Sequence, residues 1–461
     1  MSEIQEITIY VSETGDDADE GSSRKPLGSL AAALDKIRWK SYEKAEIVIS
    51  GSITEAVARE AMIDITGKGL PPLFLRGESS ERPGILSADE LDKRVLYISD
   101  GNSVSLMDNL VIRGGTTRGS GGSGVCIEGG TLILVASEIA DNDAGTGMGG
   151  GVYVGRGGEF IMYGGSIVRN NTIMSGGGVF SDDGGVFTMY GGLIADNTAY
   201  LSGAGVFVGL DSVFALHGGV IEKNRAGGEK GILLGGIAIS YGKGGGVYIC
   251  RNASLTMDGG EISENRAIAI REEADDAGSG GGVYVEKGGV FTLQNGTIKQ
   301  NGVMAWGGGV YTEGAFTTCS DSAITNNIAR LGGGGVHVAG KTGVFTMKGG
   351  LLMNNYSGGS GGAVNIMENS VFTMERGIIV KNAAATGNAL AISGKAVISG
   401  GGIFDNNGAS KENEAGLEAA SPAIVIEETG KLTISGGELD AKIAMKEKSQ
   451  LEDIRDPLGG F

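Results

Sequence analysis

The stretch 148–197 decides the fold, because it repeats itself. It reads GGGVYV at 149–154, EFIMYGG at 159–165 and SIVRN at 166–170, and then GGGVFS at 176–181, VFTMYGG at 186–192 and LIADN at 193–197. The second copy follows the first after 27 residues. One repeat of this length cannot bury its apolar face alone and must stack on the next. The stretch therefore predicts a solenoid.

Each unit contains three short runs in which apolar and polar residues alternate, separated by Gly or Asn. Alternation with period two is typical of β-strands. Stacked rungs of parallel strands lie roughly 4.8 Å apart. We therefore predict an all-β protein, a right-handed parallel β-helix with three strands in each rung of roughly 27 residues and about 11 rungs.

Four columns of residues at equivalent repeat positions predict the core. The first is Phe160, Phe187, Phe214, Leu255, Phe291, Phe345, Phe372 and Leu432. The second is Met162, Met189, Leu216, Met257, Leu293, Cys319, Met347, Met374 and Ile434. The third is Ile167, Ile194, Ile221, Ile262, Ile298, Ile324, Leu352, Ile379, Ile403 and Leu439, and the fourth is Val152, Val179, Val206, Val247, Val283, Val310, Val336 and Val364. The rung at 316–319 is one residue short, so we expect its Phe one position early and a local irregularity there.

An asparagine ends each unit. These residues are Asn142, Asn170, Asn197, Asn224, Asn265, Asn301, Asn327, Asn355, Asn382 and Asn406. Asn tolerates the left-handed backbone of a sharp corner, and stacked amides can also bond between rungs. We favour this turn chemistry over a sugar or metal role. The gaps of 41 and 36 residues after Asn224 and Asn265 indicate inserted loops.

Three insertions share one corner of the predicted solenoid, at 226–243, 267–280 and 407–421. The first two lie on consecutive rungs and would form a raised rim. Per-repeat insertions often build binding sites, although a tolerated, solvated loop is the alternative.

Composition restricts the possible partners. The 87 glycines lack the period of collagen, and the net charge of −18 argues against nucleic acid and anionic membranes. Cys126, Cys250 and Cys319 are too few for a disulfide framework. No apolar run is long enough for a membrane-spanning helix. Residues 1–30 lack a signal-peptide core, yet repeat proteins of this kind usually work outside the cell. We therefore expect a trimmed or mature form of an extracellular or cell-surface protein, with its oligomeric state left open.

The N-terminal region carries a resemblance to a known family. The residues are YVS at 10–12, TGDD at 14–17, GS at 21–22, Pro26 and SLAAA at 29–33. They resemble the N-terminal cap of right-handed β-helix proteins of the pectate-lyase-like superfamily. The GGGVY and IxxN units are similar to repeats of bacterial surface β-helices, including passenger regions of polymorphic outer-membrane proteins. These motifs are architectural, so they imply a fold more than an activity.

The domain prediction follows from these segments. We expect a strand and an amphipathic capping helix in 1–44, because Leu30, Ala33, Leu34 and Ile37 share one helical face and Ser29 is a good N-cap. The parallel β-helix is predicted at 45–441, with regular repeats at 121–407. A C-terminal cap or tail is predicted at 442–461.

An outward aromatic stripe is the first candidate binding surface. Strand alternation directs these side chains away from the core. They are Tyr153, Phe180, Phe207, Tyr248, Tyr284, Tyr311 and His337. Such a stripe can bind sugar rings or a protein, but ring stacking that stiffens the sheet is the favoured interpretation.

A second outward column contains Thr188, Thr256, Thr292, Thr318, Thr346, Thr373 and Thr433. Its neighbours from Tyr163 onward are too mixed for ice binding.

Acidic residues are the candidates for catalysis and metal binding. Asp182, Asp183 and Asp211 follow Val strands and could serve a polysaccharide lyase or glycoside hydrolase acting on acidic glycans. No basic partner accompanies them in the expected pattern, so exposed turn residues are the simpler interpretation. A Ca²⁺ ion is possible at Asp16, Asp17 and Asp19, and no other cofactor is indicated. The sequence favours a non-enzymatic adhesin, stalk, or carbohydrate- or protein-binding scaffold, with the glycan-cleaving enzyme as the alternative.

Overall fold

The computed structural model describes residues 6–55, 61–89, 91–228, 232–234, 237–239, 241–269, 278–404 and 421–455. Contacts group the chain into two compact units, 1–199 with 204–220 and 200–203 with 221–461. Each unit is a right-handed parallel β-helix with strands on three faces, which confirms the predicted fold class. We name the strands after the core column to which they contribute. The strands of the Val column form the Val sheet, and the others are the Phe strands and the Ile strands. Short corner strands follow the Asn that ends each repeat.

In the first unit, the Val sheet contains Ala61–Ile65, Arg94–Ser99, Val125–Glu128, Val152–Val154, Val179–Ser181 and Val206–Val208. The Phe strands are Glu6–Ser12, Lys44–Ile53, Leu73–Gly77, Ser103–Leu106, Thr131–Leu134, Glu159–Met162, Val186–Met189 and Val213–Leu216. The Ile strands are Gly84–Ser87, Leu110–Arg113, Glu138–Ala140, Ser166–Val168 and Leu193–Ala195, followed by Val220–Glu222 where the chain leaves this unit. The corner strands are Asn171–Thr172 and Thr198–Ala199.

In the second unit, the Val sheet contains Val247–Ile249, Val283–Val285, Val310–Thr312, Val336–Val338, Val364–Ile366, Leu390–Ile392, Ile424–Ile426 and Ile443–Met445. Three long strands serve as Phe and Ile strands together: Ser254–Ser263, Val290–Lys299 and Ala315–Thr325. Separate Phe and Ile strands follow as Val344–Met347, Leu351–Met353, Val371–Met374, Ile378–Val380, Lys395–Ile398, Gly402–Phe404, Lys431–Ile434, Glu438–Asp440 and Gln450–Asp453. The corner strands are Arg225–Ala226, Arg266–Ala267, Gly302–Val303, Ile328–Ala329, Tyr356–Ser360 and Ala383–Thr386.

The inward columns form the core of each unit, as the sequence predicts. Phe160, Phe187 and Phe214 are fully buried in the first unit, with neighbouring ring centroids 4.7 and 4.5 Å apart. In the second unit, Phe291, Phe316, Phe345 and Phe372 stack in the same way at 4.8 to 5.1 Å. Burying a side chain of this size stabilises the fold by roughly 1.5–3 kcal/mol.

The rung at 316–319 corrects one sequence prediction. Phe316 pairs in register with Phe291 and Phe345, so it is not one position early. Thr318, and not Cys319, occupies the inward Met column, where it is fully buried and donates its hydroxyl hydrogen to the Gly349 carbonyl at 2.9 Å. The outward Thr column therefore contains Thr317 at this rung. The irregularity is present but lies later, where the register shifts by one residue before Asp321.

The asparagines form a buried amide ladder within each unit. In the first unit, Asn142 Nδ2 donates to Asn170 Oδ1 at 2.9 Å, and Asn170 Nδ2 donates to Asn197 Oδ1 at 3.0 Å. In the second unit, the same bond repeats at 3.0 to 3.1 Å along Asn224, Asn265, Asn301, Asn327, Asn355 and Asn382. The Oδ1 atoms also accept backbone N–H groups, as Asn197 Oδ1 does from Asn170 at 2.9 Å. Asn406 lies outside the described residues.

The ladder asparagines do not take the left-handed conformation, which is the second correction. The residue before each ladder Asn takes it instead, with φ between 54° and 57°. These residues are Asp141, Arg169 and Asp196 in the first unit and Lys223, Glu264, Gln300, Asn326, Asn354 and Lys381 in the second. Asn is therefore required at its position for the buried amide, whereas the sharp turn belongs to its exposed neighbour.

A capping helix lies near the start of the described chain, and short strands lie near its end. The helix Leu30–Ile37 buries Leu30, Ala33, Leu34 and Ile37, and the Ser29 hydroxyl accepts the Ala32 N–H at 3.1 Å. Ile443–Met445 and Gln450–Asp453 continue the parallel pairing of the Val sheet and Phe strands.

The predicted insertions lie mostly outside the described residues. Of the first, the structure describes an antiparallel pair, Ile232–Leu234 with Ile237–Ile239. Residues 270–277 of the second and 407–420 of the third lie outside the described part of the chain. The predicted rim therefore supports no site here.

Candidate functional site

The Val sheet of the first unit carries an outward column along its centre. Strand register aligns Asp64 with Tyr97, Tyr97 with Cys126, and Cys126 with Tyr153. The column continues to Phe180 and Phe207. The sequence repeat predicts this column only from Tyr153 onward, because the early rungs have longer loops that hide the repeat.

Aromatic rings in this column stack face to face. The ring centroids of Tyr153 and Phe180 lie 5.6 Å apart, and those of Phe180 and Phe207 lie 4.6 Å apart, with interplanar angles of 7° and 1°. Phe180 is only 3% exposed, because rings cover both of its faces. An interior ring of such a stack offers no face to a sugar, so binding along the whole predicted stripe is disfavoured.

The stack is interrupted at Cys126. A thiol occupies this rung where neighbouring rungs carry Tyr97 and Tyr153, whose backbone positions are therefore two rungs, or roughly 9.6 Å, apart. Van der Waals contact places atoms of stacked groups about 3.5–4.0 Å apart. Two such contacts need roughly 7–8 Å and three need more than 10 Å. The spacing has room for one further layer of atoms, and the protein itself covers the thiol there: Cys126 is only 1% exposed, and the backbone at Gly122 packs against it.

A cleft lies at this interruption. Its volume is about 640 Å³, which falls in the range of small-molecule sites. Two adjoining loops complete its wall with backbone and small side chains. The residues that line it are Asp64, Thr66, Arg94, Tyr97, Gly119, Ser120, Gly121, Cys126, Glu128, Thr146, Gly147, Met148 and Tyr153.

Glycines bring the wall close to Tyr153. A Cβ atom on Gly121 would lie 2.5 Å from Cδ2 of the Tyr153 ring, and one on Gly155 would lie 2.8 Å from Cε1. Neither contact is sterically possible, so both positions require glycine if the ring is to keep its place. These two glycines therefore fix the orientation of the Tyr153 ring at the cleft.

The polar groups of the cleft are connected. The Tyr97 hydroxyl donates to Oε2 of Glu128 at 2.7 Å, and the Arg94 guanidinium lies over the Tyr97 ring at 5.5 Å from its centroid. Arg94 is only 5% exposed. Burial and the bond to Glu128 raise the pKa of Tyr97 above its usual value of 10. Tyr97 therefore remains a neutral hydrogen-bond donor at physiological pH.

Tyr153 experiences a negative environment. Burial, followed by the charges of Asp182, Cys126, Glu128 and Asp183, raises the pKa of its hydroxyl to about 12. Each of these charges disfavours a phenolate through like-charge repulsion. The open end of the aromatic stack is therefore neutral itself but surrounded by acidic groups.

The predicted acidic candidates lie outside the cleft lining. Asp183 and Asp211 are exposed turn residues with φ of 50° and 58°, the conformation that Asp tolerates better than most residues. Asp182 follows Val179–Ser181, and its backbone N–H donates to the Val154 carbonyl at 2.9 Å. Asp182 and Asp183 affect Tyr153 electrostatically, and turn geometry accounts for Asp211.

The predicted calcium residues support the capping helix. Asp17 accepts hydrogen bonds from the backbone N–H groups of Gly28 and Ser29 at 2.9 and 2.8 Å and from the Ser29 hydroxyl at 2.8 Å. Asp16 accepts from the Ala18 N–H at 2.9 Å. Across the described ranges, no cluster of three or more His, Cys, Asp or Glu residues could hold a metal ion. Asp17 is thus engaged in local hydrogen bonds.

The second unit carries an unbroken stack at the predicted stripe residues. Tyr248, Tyr284, Tyr311 and His337 stack with centroids 4.7 to 5.2 Å apart. Tyr284 and Tyr311 are 2% and 4% exposed. They pack in a cluster with Ala339, against which Trp306 and Met367 also pack. This stack is a buried structural feature and offers no open ring face at Tyr284 or Tyr311.

No protein-family model and no curated protein matches the chain. A similar solved structure is the native GH136 lacto-N-biosidase from Eubacterium ramulus, which is 12% identical. The match covers 97% of this chain and 68% of that chain, with a TM-score of 0.20, which is too low to carry an argument. In the described part of the chain, no helix has the length and apolar character needed to cross a membrane.

Proposed function

We propose that this chain is a carbohydrate-binding β-helix protein, and that one sugar ring of the ligand binds in the cleft against the side chains of Tyr97 and Tyr153. The observation that carries the proposal is the interrupted stack: the column of aromatic rings stops at Cys126, and a cleft lined by Tyr97 and Tyr153 lies there. Sugars present apolar C–H faces to aromatic rings and hydroxyls to polar groups. The tyrosines with Glu128 and the Ser120 loop supply both kinds of contact.

We also propose a location for the protein, outside the cell or on its surface. The resemblance to pectate-lyase-like β-helices and to bacterial surface repeats supports an adhesin or binding scaffold that is secreted or displayed on the cell surface. No metal or other cofactor is required for the proposed contacts. The function thus agrees with the non-enzymatic interpretation of the sequence.

A glycan array followed by calorimetric titration of the hits tests this function. We expect Tyr153→Ala to abolish binding, because it removes one of the two tyrosine rings that line the cleft. Tyr311→Ala is the matched control, since Tyr311 lies in the unbroken, buried stack of the second unit. An array without hits, or equal binding by the Tyr153→Ala variant, would refute the proposal.

A glycoside hydrolase is the second candidate, and one observation favours it. Asp64 and Glu128 line the same cleft, and glycoside hydrolysis usually needs two carboxyl groups beside one sugar bond. The test is release of reducing ends from neutral, amino-sugar and uronate glycans by the purified chain. Turnover that Glu128→Gln or Asp64→Asn abolishes would establish the enzyme, and binding without turnover would leave the binding function in place.

A further inference from the structure

The charges around the cleft restrict the sugar that it can accept. Two carboxylates, Asp64 and Glu128, line the cleft together with a single guanidinium, that of Arg94. Asp182 and Asp183 lie near enough to the Tyr153 hydroxyl to oppose its ionisation. The whole chain carries a net charge of −18. A ligand with a carboxylate would therefore enter a region of like charge.

The Arg94 side chain lines the cleft but is little exposed. It is only 5% exposed, and its guanidinium lies over the Tyr97 ring. The Tyr97 ring therefore covers one side of this cation, and little of the side chain is accessible to a ligand. By contrast, Glu128 is exposed. An uronic acid would meet the exposed carboxylate before it could reach the buried cation.

The Glu128 carboxylate has room for further donors. An ionised carboxylate has about four acceptor positions, and Tyr97 uses one of them. An ammonium group carries three N–H donors and is also attracted to the face of a tyrosine ring. A sugar with a free amino group would therefore use the tyrosines through its ring and the carboxylates through its ammonium.

We infer that the cleft is selective for amino sugars that carry a free, protonated amino group, in preference to N-acetylated sugars and uronic acids. This inference rests on the proposed carbohydrate-binding function and specifies its ligand class. It also disfavours the acidic glycans that the sequence suggested as enzyme substrates. Glu128 is the specificity-determining residue, and Asp64 contributes charge from the neighbouring part of the wall.

The test compares three trisaccharides by isothermal titration: glucosamine, N-acetylglucosamine and galacturonate trimers. We expect the glucosamine trimer to bind at least about tenfold more tightly than the acetylated one. Raised salt should weaken only the glucosamine interaction, because screening acts on the charge. Glu128→Gln should remove the preference, so that the glucosamine and N-acetylglucosamine trimers bind with similar affinity. The control Asp196→Asn removes an exposed carboxylate elsewhere in the same unit and should leave all three affinities unchanged.

The outcomes separate this inference from the proposed function. If the acetylated or uronate trimer binds as tightly as the glucosamine trimer, and Tyr153→Ala abolishes that binding, the sugar site stands and the inference is wrong. If no trimer or array glycan binds, the carbohydrate-binding function itself is wrong, and the inference with it. A preference that persists in Glu128→Gln would also overturn the inference, because it would assign selectivity to other groups.

Discussion

The outward column at the centre of the Val sheet is continuous in the second unit and interrupted in the first. In the second unit, Tyr248, Tyr284, Tyr311 and His337 form an unbroken stack, and its inner tyrosines are almost fully buried. In the first unit, the column breaks at Cys126, and a cleft of about 640 Å³ lies at the break. Continuous aromatic stacking therefore covers the faces of the inner rings and leaves no face open to a ligand. A cleft lies where one rung omits its ring.

The largest expected effect tests what the two units share, the inward Phe column. Phe187→Ala in the first unit and Phe345→Ala in the second should each reduce the free energy of unfolding by about 3–5 kcal/mol. Each removes a fully buried ring from a stack. Chemical denaturation followed by circular dichroism measures the change. Val186→Ala, at a residue that is 38% exposed, is the control and should change little.

Equal losses in the two units would show that their cores are equivalent and that they differ only on the outer face. If one variant loses stability and the other does not, the inward column does not have the same role in the two units.

The Asn ladder is the second feature that the units share. Asn170→Ala removes the acceptor for the Asn142 side-chain and backbone N–H groups and the donor to the Ile139 carbonyl. Leaving such buried groups unsatisfied should cost about 1–3 kcal/mol. Asn327→Ala should cost a similar amount in the second unit, where the same bonds are made. Thermal unfolding of both variants measures the losses.

The neighbouring Asn171 is the control for the ladder. Its amide donates to Asp143 at an exposed corner at 3.2 Å, so Asn171→Ala should change stability by less than about 0.5 kcal/mol. If it costs as much as Asn170→Ala, general corner chemistry and not the buried amide stabilises the turn.

Much of the fold could be predicted from the sequence because stacking makes the repeat visible. Phe187, Ile194 and Val179 recur after 27 residues as Phe214, Ile221 and Val206, and all of them are buried. The left-handed turn residue could not be predicted, because Asp, Arg, Lys, Glu, Gln and Asn all occupy it. Only the backbone, which turns one residue before the ladder Asn, determines that position.

The candidate site was less predictable than the fold. Asp64, Tyr97 and Cys126 align with Tyr153 only through strand register, and loops of unequal length separate their rungs. Aligning the short strands IDI at 63–65, LYI at 96–98 and VCI at 125–127 with VYV at 152–154 would have revealed the column. The cleft itself depends on how loops at 119–121 and 146–148 fold over that column, which no local pattern specifies.

The end of the second stack gives a pH-dependent prediction. Burial lowers the pKa of His337 from 6.5 to about 3, and the Asn365 amide nitrogen, which can only donate, lies 3.1 Å from His337 Nδ1. Because the folded pKa is depressed, the contribution to stability is present above pH 6.5. It is lost as the pH falls toward about 3, since the unfolded chain then binds a proton that the folded chain does not. The expected slope is about 1.4 kcal/mol per pH unit.

His337→Gln isolates this term, because glutamine does not titrate while all carboxylates remain. Denaturation at several pH values between 7 and 4 should show stability falling more steeply for the unmodified chain than for the variant. Parallel curves would mean that His337 is accessible to protons in the folded state, and the second stack would then be less closed than the comparison requires.

The smallest effect concerns the corners, where the two units differ in residue type. Lys381 in the second unit and Asp196 in the first are exposed and have φ of 57° and 55°. A side chain is strained in this conformation and glycine is not, although glycine also loses more freedom on folding. Lys381→Gly should therefore stabilise the protein by about 0.5–1 kcal/mol. Asp196→Gly should gain less, because Asp tolerates the left-handed region better than Lys does.

Lys395→Gly, an exposed strand position without positive φ, is the control and should destabilise by about 0.5–1 kcal/mol. A loss of stability in Lys381→Gly as large as in that control would show that the corner carries no backbone strain, and that the ladder Asn alone specifies the turn.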